Sequence, residues 1–148
     1  MPGNGLQYLN SNDWVIVQAK ASRRTFKLGE EIIRQGQSGE AIFIIRRGEA
    51  TVELAGTVAR TIVAHLGPED ICGEIAFLEQ GRSTAAVVAA DEEVEVDSIA
   101  TTELRAIFEA FPGLASRFYM SLAVILAKRL QATSKELARE MALRDRRE

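Results

Sequence analysis

The sequence predicts an α+β fold, an antiparallel β jelly-roll barrel with a short N-terminal helix and C-terminal helices, the last one long. Residues 23–99 carry short runs rich in Val, Ile, Thr and Phe, separated by glycines at roughly 8–12 residue intervals, which is typical of antiparallel sandwiches and barrels. Residues 101–148 have the periodicity of helices instead. The glycines that divide the strands are Gly29, Gly36, Gly39, Gly48, Gly56, Gly67, Gly73 and Gly81.

The size and composition of the chain favour a single domain over residues 1–148. Hydrophobic residues make up 47% and charged residues 26%, which is ordinary for a globular protein. The one cysteine, Cys72, excludes an internal disulfide framework, and we expect a reducing, cytoplasmic location. The net charge of −3 offers no basic surface, and no apolar run is long enough to cross a bilayer. We therefore expect no binding to nucleic acid by this chain alone and none to membranes.

Residues 5–22 form a helical segment that leads into the first strand. Asn10, Ser11 and Asn12 stand just before apolar residues at helical spacing. Each has a side chain that can accept a hydrogen bond from the free N–H groups of a first helical turn. A helix is therefore expected to begin at one of these three residues.

Residues 101–148 are expected to hold two helices. Thr101 or Thr102 can cap a first helix that ends at Ala110, and the sequence Phe-Pro-Gly at 111–113 breaks it. A second helix then starts at about residue 114 and continues for about 30 residues, or roughly 45 Å. That length is more than a small barrel needs to cover it.

One apolar stripe runs along this last helix at three- and four-residue steps. In one interpretation the whole stripe packs on the barrel. In the other, which we favour, part of it pairs with a second chain, because the stripe continues beyond the length of the barrel. The second interpretation predicts a homodimer. The stripe consists of Leu122, Leu126, Leu130, Thr133, Leu137 and Met141.

The stretch GEIAFLEQGRSTAA, residues 73–86, combines side chains with opposite electrostatic preferences. Arg82, followed by the hydroxyls of Ser83 and Thr84 on a glycine-flanked loop, indicates an anion site. Glu74 is close in sequence, and its carboxylate repels anions. A ligand that carries both an anionic group and a hydroxyl would satisfy both side chains.

The glycine spacing upstream and the stretch at 73–86 together resemble the cyclic nucleotide-binding domain family. Gly-Glu-Ile-Ala at 73–76 and Arg-Ser at 82–83 look like the phosphate-binding cassette of that family. The resemblance extends from Leu6 to about Ser134 and is strongest to the regulatory domains of bacterial catabolite activator proteins, whose helix is similar to AKRLQATS at 127–134. The upstream residues at matching intervals are Gly29, Glu30, Gly36, Gly39, Phe43 and Gly48.

The resemblance implies a role for each part of the cassette. Arg82 would hold the phosphate through two parallel hydrogen bonds, a geometry that lysine lacks, and Ser83 would add a hydroxyl donor. Backbone N–H groups at residues 74–76 would open a short helical turn that cradles the anion. Glu74 would accept a hydrogen bond from the ribose 2′-OH. Gly73 would let the backbone approach the sugar.

Further ligand-binding candidates follow from the same resemblance. The hydroxyls of Thr133 and Ser134 would meet the nucleobase where the last helix crosses the pocket, although Thr133 could instead set the register of a coiled coil. The complete set of candidates is Leu66, Cys72, Gly73, Glu74, Ile75, Ala76, Arg82, Ser83, Thr84, Arg129, Thr133 and Ser134.

The cassette departs from the family pattern in three ways. The loop between Glu74 and Arg82 is two residues shorter than in the catabolite activators. Gly81 occupies the place of a common proline, which leaves the empty loop more flexible and costs affinity when the loop is ordered. Cys72 replaces a large apolar residue and is expected to behave as a small hydrophobe in the pocket wall or core.

The most consistent function is a non-enzymatic sensor that binds a cyclic nucleotide, cAMP or else cGMP, and signals through its C-terminal helix to a downstream effector domain or protein. No cofactor or metal is expected. The alternative is a jelly-roll interaction or scaffold domain with a vestigial pocket, dimerised by the long helix. A cupin-type metalloenzyme is disfavoured because such sites need several histidines and this chain has only His65.

Overall fold

The computed structural model describes residues 5–147 and contains two antiparallel sheets followed by a long helix. The helices are α1 (Ser11–Gln18), α2 (Glu74–Glu79), α3 (Thr101–Ala110) and α4 (Pro112–Arg147). The strands are β1 (Ser22–Lys27), β2 (Glu31–Ile33), β3 (Ala41–Arg47), β4 (Ala50–Ala55), β5 (Arg60–Leu66), β6 (Ile71–Cys72), β7 (Ala86–Ala89) and β8 (Glu93–Ala100).

The strands form two four-stranded sheets, in the orders β1-β8-β3-β6 and β2-β7-β4-β5. All strand pairs are antiparallel. The predicted antiparallel jelly roll is confirmed, and its strands occupy 22–100, almost the range expected. The sheets face each other as a sandwich and do not close into a continuous barrel over the described residues.

Strand β3 has an apolar run because both of its faces are buried. Ile42 and Ile44 belong to the core that includes the helices, whereas Phe43 and Ile45 belong to the core between the two sheets. Successive side chains of a strand point to opposite faces, so a central strand covered on both sides needs an apolar residue at every position. The first sheet is therefore the middle layer, between the helices and the second sheet.

Helix α1 lies within the predicted 5–22 segment and is joined to α4 by a salt bridge. Asn10 is its N-cap and forms a capping box with Asp13, each side chain accepting from the backbone N–H of the other residue. Asp13 also accepts two hydrogen bonds from Arg117 of α4, at 2.6 and 2.8 Å. The hydrogen bonds from Arg117 hold the pKa of Asp13 below its usual value.

The two C-terminal helices are present, with different ends from those predicted. Helix α3 ends at Ala110 as expected, but neither threonine caps it: residue 100 is the N-cap, and Thr101 Oγ1 instead donates to the Gly39 and Glu40 carbonyls at 3.2 and 3.3 Å. Helix α4 begins at Pro112, two residues before the predicted start, because a proline is well accommodated in a first turn. The last residue of the predicted range, Glu148, lies outside the described residues.

Helix α4 has 36 residues, or about 54 Å. Its first half packs on the domain, and Ile125 is the last buried residue along it. Beyond it, Leu130 is 68% exposed and Leu137 and Met141 are each 57% exposed. The domain therefore covers only the first part of the apolar stripe. No helix in the described range is both long and apolar enough to cross a membrane.

Candidate ligand-binding site

A cavity of about 360 Å³ lies between the second sheet, α2 and α4. The end of β6 and the residues just before β7 complete its wall. It brings together most of the predicted site residues, which come from the end of β5, from residues 72–76, from the loop before β7 and from α4. The predicted residues that line it are Leu66, Cys72, Gly73, Glu74, Ile75, Ala76, Ser83, Thr84, Arg129 and Thr133.

Glu74 is a buried carboxylate with one unsatisfied oxygen. The residue is 4% exposed, and Oε1 accepts a hydrogen bond from Arg129 Nη1 at 2.6 Å. Oε2 is buried and has no hydrogen-bond partner among the described residues. Burial raises the pKa of Glu74 above its usual value, although the charge of Arg129 acts in the opposite direction. Because buried polar atoms are normally hydrogen-bonded, Oε2 is a ready acceptor for a ligand donor.

Gly73 holds the turn that places Glu74 in the cavity. It is the N-cap of α2, with φ of 88°, in the left-handed region that only glycine adopts without steric cost. A Cβ at this position would lie 2.8 Å from the carbonyl oxygen of Ala41. Both the conformation and the close approach therefore require glycine here.

Arg82 points away from the cavity. Its guanidinium is exposed, and Nη1 donates to the Gly36 carbonyl at 2.9 Å. The predicted contact with a ligand phosphate requires the side chain to leave Gly36 and rotate inward. The structure thus separates Arg82 from Ser83 and Thr84, which do line the cavity.

The loop that carries Arg82 is held by backbone hydrogen bonds to the segment between β2 and β3. Gly36 N–H donates to the Ser83 carbonyl, and Ser83 N–H donates to the Gln37 carbonyl, both at 2.8 Å. Gly39 N–H donates to the Gly81 carbonyl at 3.2 Å. The backbone on both sides of Arg82 is therefore fixed, so an inward movement involves mainly the side chain.

Helix α4 reaches the cavity through Arg129 and Thr133. Arg129 binds Glu74 and also donates from Nη2 to the Ile71 carbonyl at 2.8 Å. Ser134, the other residue of this helix that is predicted to meet the nucleobase, is exposed and does not line the cavity of this chain. One step along the helix rotates a side chain by about 100°, which carries Ser134 away from Thr133.

Cys72 forms part of the cavity wall. Its side chain is buried, and this burial, reinforced by the charge of Glu74, raises the pKa of the thiol well above its usual value. The group is therefore neutral at pH 7 and contributes a small apolar surface.

Sequence reasoning missed the apolar half of the lining. All but Ala85, which directly precedes β7, come from strands whose inward face could be identified only by alternation. The sequence alone does not say which face of the second sheet surrounds a cavity. They are Ile33, Val52, Val63, Ala64, Ala85 and Val87.

The fold and the site define a class of small-molecule-binding domain: an antiparallel sandwich whose apolar cavity contains a buried acceptor and is lined on one side by a C-terminal helix. Residues 23–111 match the sequence model of the cyclic nucleotide-binding domain. The chain belongs to this family, which confirms the resemblance seen in the cassette.

Two relatives illustrate the range of the family. Cyclic GMP-binding protein C of Dictyostelium discoideum is 33% identical over 130 residues, which are 82% of this chain and 5% of that protein. The cyclic AMP receptor protein of Thermus thermophilus is 31% identical over 117 residues, 78% of this chain and 51% of that protein. This chain therefore spans about half of the Thermus protein and a small part of the Dictyostelium protein.

Solved structures agree with the fold. The crystal structure of the Thermus thermophilus catabolite activator protein superposes with a TM-score of 0.72 at 25% identity, covering 88% of this chain and 59% of that one. A cyclic nucleotide-binding domain from Methylobacillus flagellatus gives 0.82 at 15% identity, with coverage of 89% and 74%. Because the identity is only 15%, the similarity to the Methylobacillus flagellatus domain supports the fold and nothing beyond it.

Proposed function

We propose that this domain is a non-enzymatic sensor that binds cAMP, ahead of cGMP, in the cavity next to Glu74 and transmits occupancy through α4. One observation carries the proposal: Glu74 lines the cavity, and its Oε2 is buried and has no hydrogen-bond partner among the described residues. A ribose 2′-OH is a donor of the right kind for this oxygen. An orphaned carboxylate oxygen is costly to maintain, so a ligand that satisfies it gains binding free energy.

The rest of the cavity suits the other parts of a cyclic nucleotide. The phosphate would lie near the backbone N–H groups at the start of α2 and the hydroxyl of Ser83, and Arg82 would rotate from Gly36 to form two charge-assisted hydrogen bonds with it. The base would lie along the apolar wall, with its edge towards Thr133. Thus the anionic and neutral parts of the ligand would meet separate parts of the site.

The preference for cAMP follows from the cassette, because a serine at the position of Ser83 accompanies cAMP in the catabolite activators that the cassette resembles. Thr133 does not decide between the bases, since its hydroxyl can accept from the amino group of adenine and can equally donate to O6 of guanine. The names of the two relatives include both cyclic AMP and cyclic GMP, so overall similarity does not choose between the bases either.

Helix α4 is the proposed output element. Arg129 already joins it to Glu74, and the ligand would bind the other carboxylate oxygen, so ligand and helix would stabilise the same conformation. The exposed stripe at Leu130, Leu137 and Met141 would pair with a second copy of the chain. In a parallel pair, Ser134 of one copy could face the cavity of the other. The stiffened dimer would then act on an effector domain or protein.

The second candidate is a jelly-roll interaction or scaffold domain with a vestigial pocket, dimerised by the long helix. The orientation of Arg82 favours it, because the guanidinium binds Gly36 and not the cavity. In that case Arg82 would be a loop-fixing residue, and no cyclic nucleotide would bind at micromolar concentrations.

Titration calorimetry with cAMP, cGMP and AMP separates the two candidates. We expect cAMP to bind the native protein, and Arg82→Ala to weaken binding by roughly 30- to 4,000-fold, as for loss of one partner of a buried charged pair. The exposed Arg47→Ala is the matched control and should bind as tightly as the native protein. Unchanged affinity in Arg82→Ala would remove the phosphate contact from the proposal, and the absence of heat with any nucleotide would favour the scaffold.

A further inference from the structure

Helix α2 presents its first residues to the ligand cavity, yet little within the helix fixes its position. It has only six residues, and its N-cap, Gly73, provides no side-chain hydrogen bond. A single helical turn and a half has almost no stability of its own. The positions of Glu74 and Ala76 in the cavity must therefore depend on contacts from other elements.

The opposite end of α2 is held by Arg105 of α3. The guanidinium carbon lies 4.6 Å from the centre of the Phe77 ring, and Nη2 donates to the Phe77 carbonyl at 3.3 Å. The last carbonyls of a helix have no partner within it, and a cation at this end also interacts favourably with the helix dipole. Arg105 thus contacts both the ring and the backbone carbonyl of Phe77, near the C-terminal end of α2.

A second cavity, of about 390 Å³, borders α2 on this side, and Ala76 lies in the wall of both cavities. Core packing also holds the helix: Phe77 is buried against Phe108, Phe118 and Tyr119. Arg105 therefore acts in addition to this packing, at the side of α2 that borders the second cavity. The residues that line the second cavity are Ser38, Gly39, Ala76, Gln80, Gly81 and Arg105.

We infer that Arg105 is a positioning residue for the ligand site, which sets the location of α2 and so of Glu74. The inference rests on the proposed function in that the ligand is taken to be a cyclic nucleotide. Because only Phe111 separates α3 from α4, Arg105 also connects the cavity to the long helix by a route independent of Arg129. Ligand binding and the position of α3 then depend on each other.

The test uses Arg105→Met, which keeps the apolar stem but removes the charge and the donors, and Arg105→Lys, which keeps the charge. Arg47→Met is the control, with the same change of charge at an exposed position on β3. Three quantities are measured: amide hydrogen exchange over residues 74–79 without ligand, cAMP affinity by calorimetry, and the free energy of unfolding in urea. We expect Arg105→Met to weaken cAMP binding about fivefold or more, the size of one lost charge-assisted hydrogen bond.

We also expect Arg105→Met to speed exchange within α2 while the slowest core amides keep their protection, and Arg105→Lys to recover part of both losses through the remaining cation–ring contact. A purely structural residue would lower global stability without this local pattern. Exchange over α2 that equals the control in both variants would overturn the inference. If the native protein binds no cyclic nucleotide, the proposed function fails, and the exchange of α2 still decides the role of Arg105.

Discussion

Arg129 of the long C-terminal helix donates to one oxygen of the buried Glu74 carboxylate at 2.6 Å, and the second oxygen has no hydrogen-bond partner among the described residues. Glu74 also lines the cavity, so the same side chain contacts both α4 and the ligand-sized space. In the proposed function a ligand hydroxyl would bind the second oxygen and leave the contact with Arg129 in place.

Glu74 should make the stability of the ligand-free protein depend on pH. Its pKa is raised in the folded state, mainly by burial, so between the usual and the folded values the folded protein binds more protons than the unfolded chain. Its contribution to the free energy of unfolding is thus greatest at low pH and is lost as pH rises from its usual value of 4.5 through the raised folded value. We expect Glu74→Gln to gain stability relative to the native protein across that interval in urea denaturation.

The exposed Glu79→Gln, on the same helix, is the control for the same loss of a carboxylate. A difference between Glu74→Gln and the native protein that does not change as pH rises above 4.5 would contradict the assignment.

Gly73→Ala should lower the free energy of unfolding more than the same substitution at another glycine with a positive φ. The native φ of 88° disfavours alanine, and the new methyl group would also lie 2.8 Å from the Ala41 carbonyl oxygen. The matched control is Gly29→Ala, because Gly29 has a φ of 86° but no atom within 4 Å of the place that an added methyl group would occupy. We expect a cost of about 1 kcal/mol for the control and about 2–4 kcal/mol for Gly73→Ala, measured by urea unfolding. Equal costs would mean that the loop shifts to relieve the contact.

The apolar stripe on α4 should mediate self-association. Leu130 and Leu137 are 68% and 57% exposed, and the double substitution to glutamate would place like charges in the proposed seam. We expect analytical ultracentrifugation to find a dimer for the native protein and a monomer for the variant, with the unfolding of the monomer unit little changed. Val58→Glu, at the 97% exposed tip of the β4–β5 hairpin, should remain dimeric.

Saturating cAMP should strengthen the same dimer by roughly 5- to 150-fold, and Thr133→Ala with Ser134→Ala should weaken cAMP binding. A native protein whose self-association is indifferent to cAMP would rule out coupling through the helix, although the cavity itself could still bind the ligand.

The pair formed by Asp13 and Arg117 should contribute stability that is lost in acid. The hydrogen bonds from Arg117 lower the pKa of Asp13, so this stability is complete above its usual value of 3.8 and declines as pH falls through the lower folded value. We expect Asp13→Asn to cost about 1–2 kcal/mol at pH 7, a modest figure because the Arg117 side chain is 40% exposed and partly screened by water. The difference should shrink below about pH 4, and the exposed Asp145→Asn is the control for the same change of side chain.

The sequence predicted those features that depend on local pattern. The strands are recognisable because β-branched runs alternate with glycine turns, and the start of α1 is recognisable because Asn10 is one of three consecutive residues that can cap a helix. The cassette is recognisable because Gly73 and Glu74 are adjacent and require a particular backbone shape. These features need no knowledge of distant contacts.

The features that sequence reasoning missed depend on residues far apart in the chain. Arg82 turns outward because it meets the carbonyl of Gly36, 46 positions earlier. Thr101 does not cap α3 because it is already the first residue of that helix, where its hydroxyl donates to the carbonyls of Gly39 and Glu40. No periodicity encodes such contacts. The apolar wall of the cavity was missed for a similar reason, since alternation identifies two faces of a strand but not the face that surrounds a ligand.

The length of α4 has a mechanical consequence. The helix is anchored to the domain at Arg129, and the part beyond it extends for about 27 Å without contact to a buried core. In the proposed function, this part of the helix would move as a rigid rod about Arg129, beside the ligand cavity. A tilt of only about 10° at Arg129 would move the far end by about 5 Å, roughly one helical turn. Small rearrangements around the Glu74 carboxylate would thereby become displacements large enough to change the contacts made by the far end of α4.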